Sequence, residues 1–308
     1  MNPIFRNTLT ALVIVSFIVS IGCKKETTPI TPTAATASSN ITTLKAFYTA
    51  NGVQSQSFVI NNSIGGTIIG VNGGKYFFPA NFFLTPAKTV ATGNVNIQLK
   101  EIFNPTNMLL SNMPTTSGNH GLLSEGEFYI HATQGGQQLE PAGTFAAHIP
   151  LIDSTYQALD SINVWNQDSG TWVPNYGSYI SSLADSISVN GDSLNWENAD
   201  CFYNSSSFYQ VTLNATNAPN ISQTAIYTFV NGHKAIWSTA YTSGTQFITP
   251  TDIPSGAPLT FIGICTAKDG TLYSFFYPYT NPGKNDVVNV TFTATTTSAF
   301  KAQMSALK

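Results

Sequence analysis

The apolar residues of this chain recur with a period of two, not 3.6, and that constrains the fold more than any other feature. Val95, Ile97 and Leu99 alternate with Asn94, Asn96, Gln98 and Lys100, as in a strand with one buried face. Glu127–Thr133 (EFYIHAT) alternates likewise, and Gly135-Gly136 turns it back toward Gln137–Leu139. Phe58–Ile60, Gly66–Ile69 and Lys75–Phe78 are short β-rich runs separated by Asn-Asn, Asn-Gly-Gly and Pro. From Lys45 the pattern is strand-like, and no amphipathic helix is predicted in this region.

A second set of strands follows between Trp196 and Ala294: Tyr209–Leu213, Ala225–Val230, Ala235–Ser238, Gln246–Ile248, Leu259–Thr266, Leu272–Tyr277 and Val287–Thr293. Their spacing suits a transthyretin-like or immunoglobulin-like sandwich. Between the two sets, Ile162–Trp165 and Thr171–Val173 form a predicted hairpin, taken as a connector. Ser298–Lys308 is predicted helical, with Ser298 as cap and Phe300, Met304 and Leu307 on one face. The expected fold is all-β, with two tandem antiparallel β-sandwich domains at 44–157 and 158–308, the connector belonging to the second.

Residues 1–22 have a separate logic. A basic start with Arg6, the uncharged apolar run Leu9–Ile21 and the small Gly22 make a secretory signal. The run is short of the ~20 apolar residues of a membrane-spanning helix. With Cys23 next, the segment resembles the lipobox of bacterial lipoproteins, with Ser20 where Leu is usual. The Cys-Lys-Lys-Glu opening resembles lipoproteins of the Bacteroidota. The resemblance implies a palmitate-type acyl anchor on Cys23 and a place in the outer membrane, facing the periplasm or the exterior. Residues 24–43, rich in Thr, Ala, Ser and Pro, are the expected tether.

Gly65-Gly66-Thr67-Ile68, Gly73–Phe83 (GGKYFFPANFF), Val90–Phe103, Asn107–Leu110 and Gly121–Ile130 follow one another in an order that resembles the ZU5-like β-domains of Bacteroidota lipoproteins. The likeness covers about residues 56–150. It implies a β-sandwich in structural or protein-interaction roles and brings no catalytic residues.

Composition narrows the function classes. Charged residues are 9% of the chain, against about 25% in ordinary soluble domains. Past the signal no arginine remains and no lysine cluster replaces it, so nucleic acid is not an expected partner. The 42% hydrophobic and 12% aromatic content is enough for substantial cores.

Candidate chemistry is sparse. Glu125 and Glu127 lie two apart, about 6–7 Å on a strand, a spacing permissive for a glycosidase pair; the plain alternative is a solvated strand face. His131 and His148 fall on neighbouring predicted strands, and His120 sits in the Gly-rich loop Ser117–Gly121. No zinc spacing and no Gly-x-Ser-x-Gly elbow occurs, so neither a metal, a cofactor nor a catalytic residue is expected. Cys201 and Cys265 are a candidate disulfide pair in an oxidising compartment, the alternative being two buried thiols. Trp165 and Trp172 are candidate ligand-binding aromatics, the alternative being core packing. The expected function is a non-catalytic structural, adhesion or protein-binding lipoprotein. A glycan-binding accessory lipoprotein of a polysaccharide-uptake system is the second expectation and a secreted hydrolase the third.

Overall fold

The computed structural model describes residues 41–151, 162–183, 186–280 and 282–307. Cys23, the expected signal and the expected tether up to residue 40 lie outside the described residues.

The first strands, in chain order, are β1 (Gln56–Asn61), β2 (Gly66–Ile69), β3 (Lys75–Phe78), β4 (Asn94–Ile102), β5 (His120–Gln134) and β6 (Phe145–Pro150). They continue with β7 (Asn163–Asp168), β8 (Thr171–Pro174), β9 (Tyr179–Ser182), β10 (Ser186–Gly191) and β11 (Trp196–Phe202). Two sheets result, ordered β1-β4-β5-β11-β7-β8 and β9-β10-β6-β3-β2. The alternation places Val95, Ile97, Leu99, Phe128 and Ile130 inward, against Tyr76, Phe78, Phe145 and Ala147 of the other sheet. Ring contacts such as Tyr76–Phe128, with centroids 5.3 Å apart, close this sandwich.

The later strands are β12 (Thr212–Thr216), β13 (Thr224–Val230), β14 (Ile236–Ser238), β15 (Ala240–Ser243) and β16 (Gln246–Ile248). After them come β17 (Leu259–Thr266), β18 (Leu272–Tyr279), β19 (Val287–Thr291) and β20 (Thr293–Thr295). These build the sheets β15-β16-β12-β19 and β14-β13-β17-β18-β20. The β12–β19 pair is parallel. The fold is thus all-β and sandwich-like, as expected.

Three expectations are corrected. The sheets do not divide at 157/158. β7 and β11 pair within the first sheet, β11 lies beside β5, and β10 pairs with β6. The presumed connector is therefore integral to the first sandwich: its hairpin β7–β8 edges one sheet, and β9 and β10 after it complete the other. A continuous cluster of buried side chains also runs from Ile68 to Phe292, through both sets of strands.

The second correction concerns helices. α1 (Leu44–Asn51) occupies chain expected to be strand, and α2 (Pro105–Leu110) interrupts the first sandwich. The Thr43 hydroxyl accepts the Ala46 N–H of α1, and the Asn104 side chain accepts the Asn107 N–H of α2, with Pro105 in the first turn. Both helices are too short to show a helical period clearly, yet both are capped. α3 (Thr297–Ser305) is the expected C-terminal helix, capped by Thr296 instead of Ser298, with Phe300 and Met304 buried. The helices, the outer face of the first sheet and the β14-β13-β17-β18-β20 sheet share a second buried cluster that includes Phe47, Met108, Leu122, Tyr227 and Ile262.

The third concerns Cys201 and Cys265, which no disulfide joins. Cys201 lies on β11 opposite Leu123, and Cys265 lies on β17 opposite Thr224. Both are buried in the shared core, and the Cys265 thiol donates to the Asn220 carbonyl at 3.4 Å.

The Gly73-Gly74 pair has a local cause. The buried Glu101 carboxylate accepts the Gly74 N–H (3.1 Å), the Asn72 N–H (2.9 Å) and the Tyr76 hydroxyl (3.2 Å). A Cβ on Gly74 would stand 2.3 Å from Glu101 Oε1, so only glycine lets the turn close on that carboxylate.

Candidate functional site

The outer face of the first sheet presents a polar row across three strands. Lys100 on β4 lies opposite Tyr129 on β5, which lies opposite Trp196 on β11. The alternation that sends Leu99 and Phe128 inward sends Lys100 and Tyr129 outward. The Tyr129 and Trp196 rings are 5.2 Å apart, and His131, two residues along the same face, stacks on Tyr129 at 6.2 Å and 8°.

α1 stands beside this row and makes it concave. Lys45, Tyr48 and Thr49 of α1, the turn Gly52–Gln54, and Ser111 and Asn112 after α2 enclose with Lys100 and Trp196 a cavity of about 650 Å³. That is within the ordinary range for a small-ligand site. Tyr48 donates its hydroxyl proton to Tyr227 Oη at 2.7 Å, and Tyr227 donates to Asn112 Oδ1 at 3.0 Å. Burial holds both phenols protonated, pushing Tyr227 up to about 12 and raising Tyr48 as well. Among the described residues, neither Lys45 nor Lys100 forms an ion pair. The site therefore offers an aromatic face, two ammonium groups and a rim of hydroxyls and amides.

A second, smaller groove of about 380 Å³ is lined by His120, Phe202, Tyr203, Phe208, Thr251 and Asp252. Asp252 Oδ1 and Oδ2 accept the Gly121 N–H at 3.0 and 2.9 Å, and Oδ2 lies 3.6 Å from His120 Nδ1. Phe202 and Phe208 are exposed here.

The residues singled out from sequence have other places. Trp165 and Trp172 are buried, donating their indole N–H groups to the Asp200 and Pro114 carbonyls at 3.0 Å each, so neither can meet a ligand. His131 and His148 lie on different sheets, on β5 and β6. Glu125 and Glu127 are not a solvated face: both are fully buried. A register slip on β5, where Ala199 faces Gly126 but Asp200 faces Ser124, inserts an extra residue and breaks the simple alternation. Among the described residues, Glu127 has no hydrogen-bond partner. Burial raises the pKa of Glu127, and the neighbouring Asp200 raises it further. Glu197, facing into the sandwich, is pushed up to about 8 by burial against the Ser193 N–H, which favours its ionised form.

Sequence reading missed Lys100, Tyr129 and α1. The signal for the first two was present: NVNIQLK and EFYIHAT each carry a polar or aromatic residue on the face opposite the core.

No family model matches the chain, and no curated protein matches it. Among solved structures it is similar to the Gamma-CGTase from Alkalophilic bacillus clarkii, at 10% identity over 76% of this chain and 41% of that one. The TM-score of 0.23 is too low to bear on function.

Proposed function

We propose that this chain is a lipid-anchored, non-catalytic binding module of the outer membrane, which holds an acidic glycan in the cavity beside α1. The observation that carries the reading is the cavity where Lys100 and Trp196, the two ends of the row through Tyr129, face Lys45 and Tyr48 of α1. Aromatic faces stack on the apolar faces of sugar rings, and the ammonium groups of Lys45 and Lys100 answer the carboxylate of a uronic acid. Burial of Glu125 and Glu127 supports the non-catalytic part, since acids sealed from solvent cannot flank a glycosidic bond. The lipobox-like segment ending at Cys23 supports the anchor, and the ZU5-like pattern over about 56–150 supports a Bacteroidota lipoprotein. A protein partner is the second reading, favoured by exposed Phe202 and Phe208 in the His120 groove.

Affinity electrophoresis tests the ligand. The protein is expected to be retarded in gels containing a polyuronate, less so in neutral polysaccharide, and to run freely in both as Trp196→Ala. Equal mobility of the unaltered protein with and without polyuronate would sink the glycan reading. Fractionation tests the anchor: Cys23→Ala should leave the membrane pellet, and a variant that stays there contradicts lipidation.

A further inference from the structure

Lys234, on the turn between β13 and β14, is buried, with only 10% of its side chain exposed, and its partner Glu125 is buried to 2%. Its Nζ lies 3.4 Å from Glu125 Oε2. Both backbones are fixed, because the Ser124 N–H donates to the Lys234 carbonyl at 3.1 Å and Glu125 occupies the β5 register slip. Across the slip stands Asp200, wholly buried, its Oδ2 accepting the Asn198 amide at 2.6 Å. Among the described residues, Asp200 Oδ1 has no partner.

Such a pair has two outcomes. It can persist as an ion pair, at the desolvation cost of two buried charges. Or one proton can pass from the ammonium to the carboxylate, giving a neutral amine and a neutral acid and removing both buried charges. The 3.4 Å contact to Oε2 holds the amine nitrogen against the carboxyl group it would attack, and such positioning is what makes an intramolecular reaction favourable.

We propose that Lys234 and Glu125 close an intramolecular amide bond that straps the first sandwich to the second. Nζ attacks Cδ of Glu125, the C–N bond forms, and the C–OH bond breaks. Asp200 delivers a proton to the departing hydroxyl and takes one from Nζ, so it ends as it began. The products are one amide and one water, with no oxidant or reductant. Burial raises the pKa of Asp200, which keeps it in the protonated form this transfer needs. Expulsion of water from a sealed site opposes the reverse hydrolysis.

Lys-C digestion of the denatured full chain reads the bond directly. The sequence holds no lysine between Lys100 and Lys234, and the next after it is Lys268. An unmodified Lys234 is cut, giving peptide 101–234 at its sequence mass. An amidated Lys234 resists the protease, giving peptide 101–268 lighter than its sequence mass by one water, about 18 Da. We expect the second product. Peptide 101–234 at its full mass overturns the bond and leaves a buried ion pair. In Asp200→Asn we expect the fraction of 101–268 to fall at least tenfold. An unchanged fraction in that variant removes Asp200 from the reaction.

Discussion

Strand β5 has two neighbouring stretches with opposite fates. At Ser124–Glu127 it is sealed: the Lys234 carbonyl accepts the Ser124 N–H, and the Trp237 indole donates to the Leu122 carbonyl at 2.8 Å. At Tyr129–His131, two residues beyond Glu127 and on the same face, it is half-buried, next to Trp196 at the wall of the cavity beside α1. Both stretches place polar side chains on the face turned from the sandwich interior. What separates them is cover. Lys234 and Trp237 of the second sandwich close over the first stretch, whereas α1 flanks a cavity beside the second, so one becomes a buried acid-lined seam and the other a half-open aromatic row. Alternation along a strand assigns a face, and the neighbouring layer assigns the chemistry of that face.

Breaking the seal should have the largest effect. Trp237→Ala removes a fully buried ring and its hydrogen bond, and should cost about 3–5 kcal/mol, measured by urea unfolding. The open row should tolerate its own truncation far better, because Trp196 is only half-buried. If Trp237→Ala and Trp196→Ala destabilise equally, the contrast between the two stretches is lost.

The pH dependence of stability sharpens the same contrast. Glu197 binds its proton more tightly when folded, near pH 8 against 4.5 for a glutamate in open chain. The folded state therefore holds more protons between those values, and stability falls as pH rises through that window. It is fully present below about pH 4.5, and the slope is at most about 1.4 kcal/mol per pH unit for one carboxyl. Glu127 and Asp200 shift in the same direction. Thermal melting should thus decline from pH 5 to pH 8, and Glu197→Gln should flatten the decline. A melting temperature that climbs over this range contradicts the buried acids.

The smallest effect is expected from reductant. No disulfide joins Cys201 and Cys265, so dithiothreitol should leave the melting temperature unchanged. A fall of several degrees would reveal a bond between them.

Much of the strand framework was legible because short β-rich runs stand between turn residues: Gly66–Ile69, Lys75–Phe78 and Leu259–Thr266 coincide with β2, β3 and β17. The capped helix α2 was readable in principle from Asn104-Pro105. The eight-residue α1 was not, since Phe47 is its only fully buried residue. Pairing across 158–202 was illegible for a different reason. A hairpin such as Asn163–Pro174 looks the same whether it joins the sheet before it or the one after, and long-range register decides. The site suffered likewise, because a tryptophan carries no local mark of exposure. Trp165 and Trp172 flank a turn and suggest accessibility, yet helices and the second sandwich cover them; Trp196 begins a strand and remains at the cavity wall.

The four tryptophans make that difference measurable. Trp165, Trp172 and Trp237 are buried to 2% exposure or less, so only Trp196 stands where a ligand could touch it. Titrating the protein with a uronate oligosaccharide while following tryptophan fluorescence should give a saturable change. In Trp196→Phe that change should vanish while the fold, read by circular dichroism, is kept. A response that persists in Trp196→Phe, or none in the unaltered protein, contradicts the assignment of the open row as the ligand site.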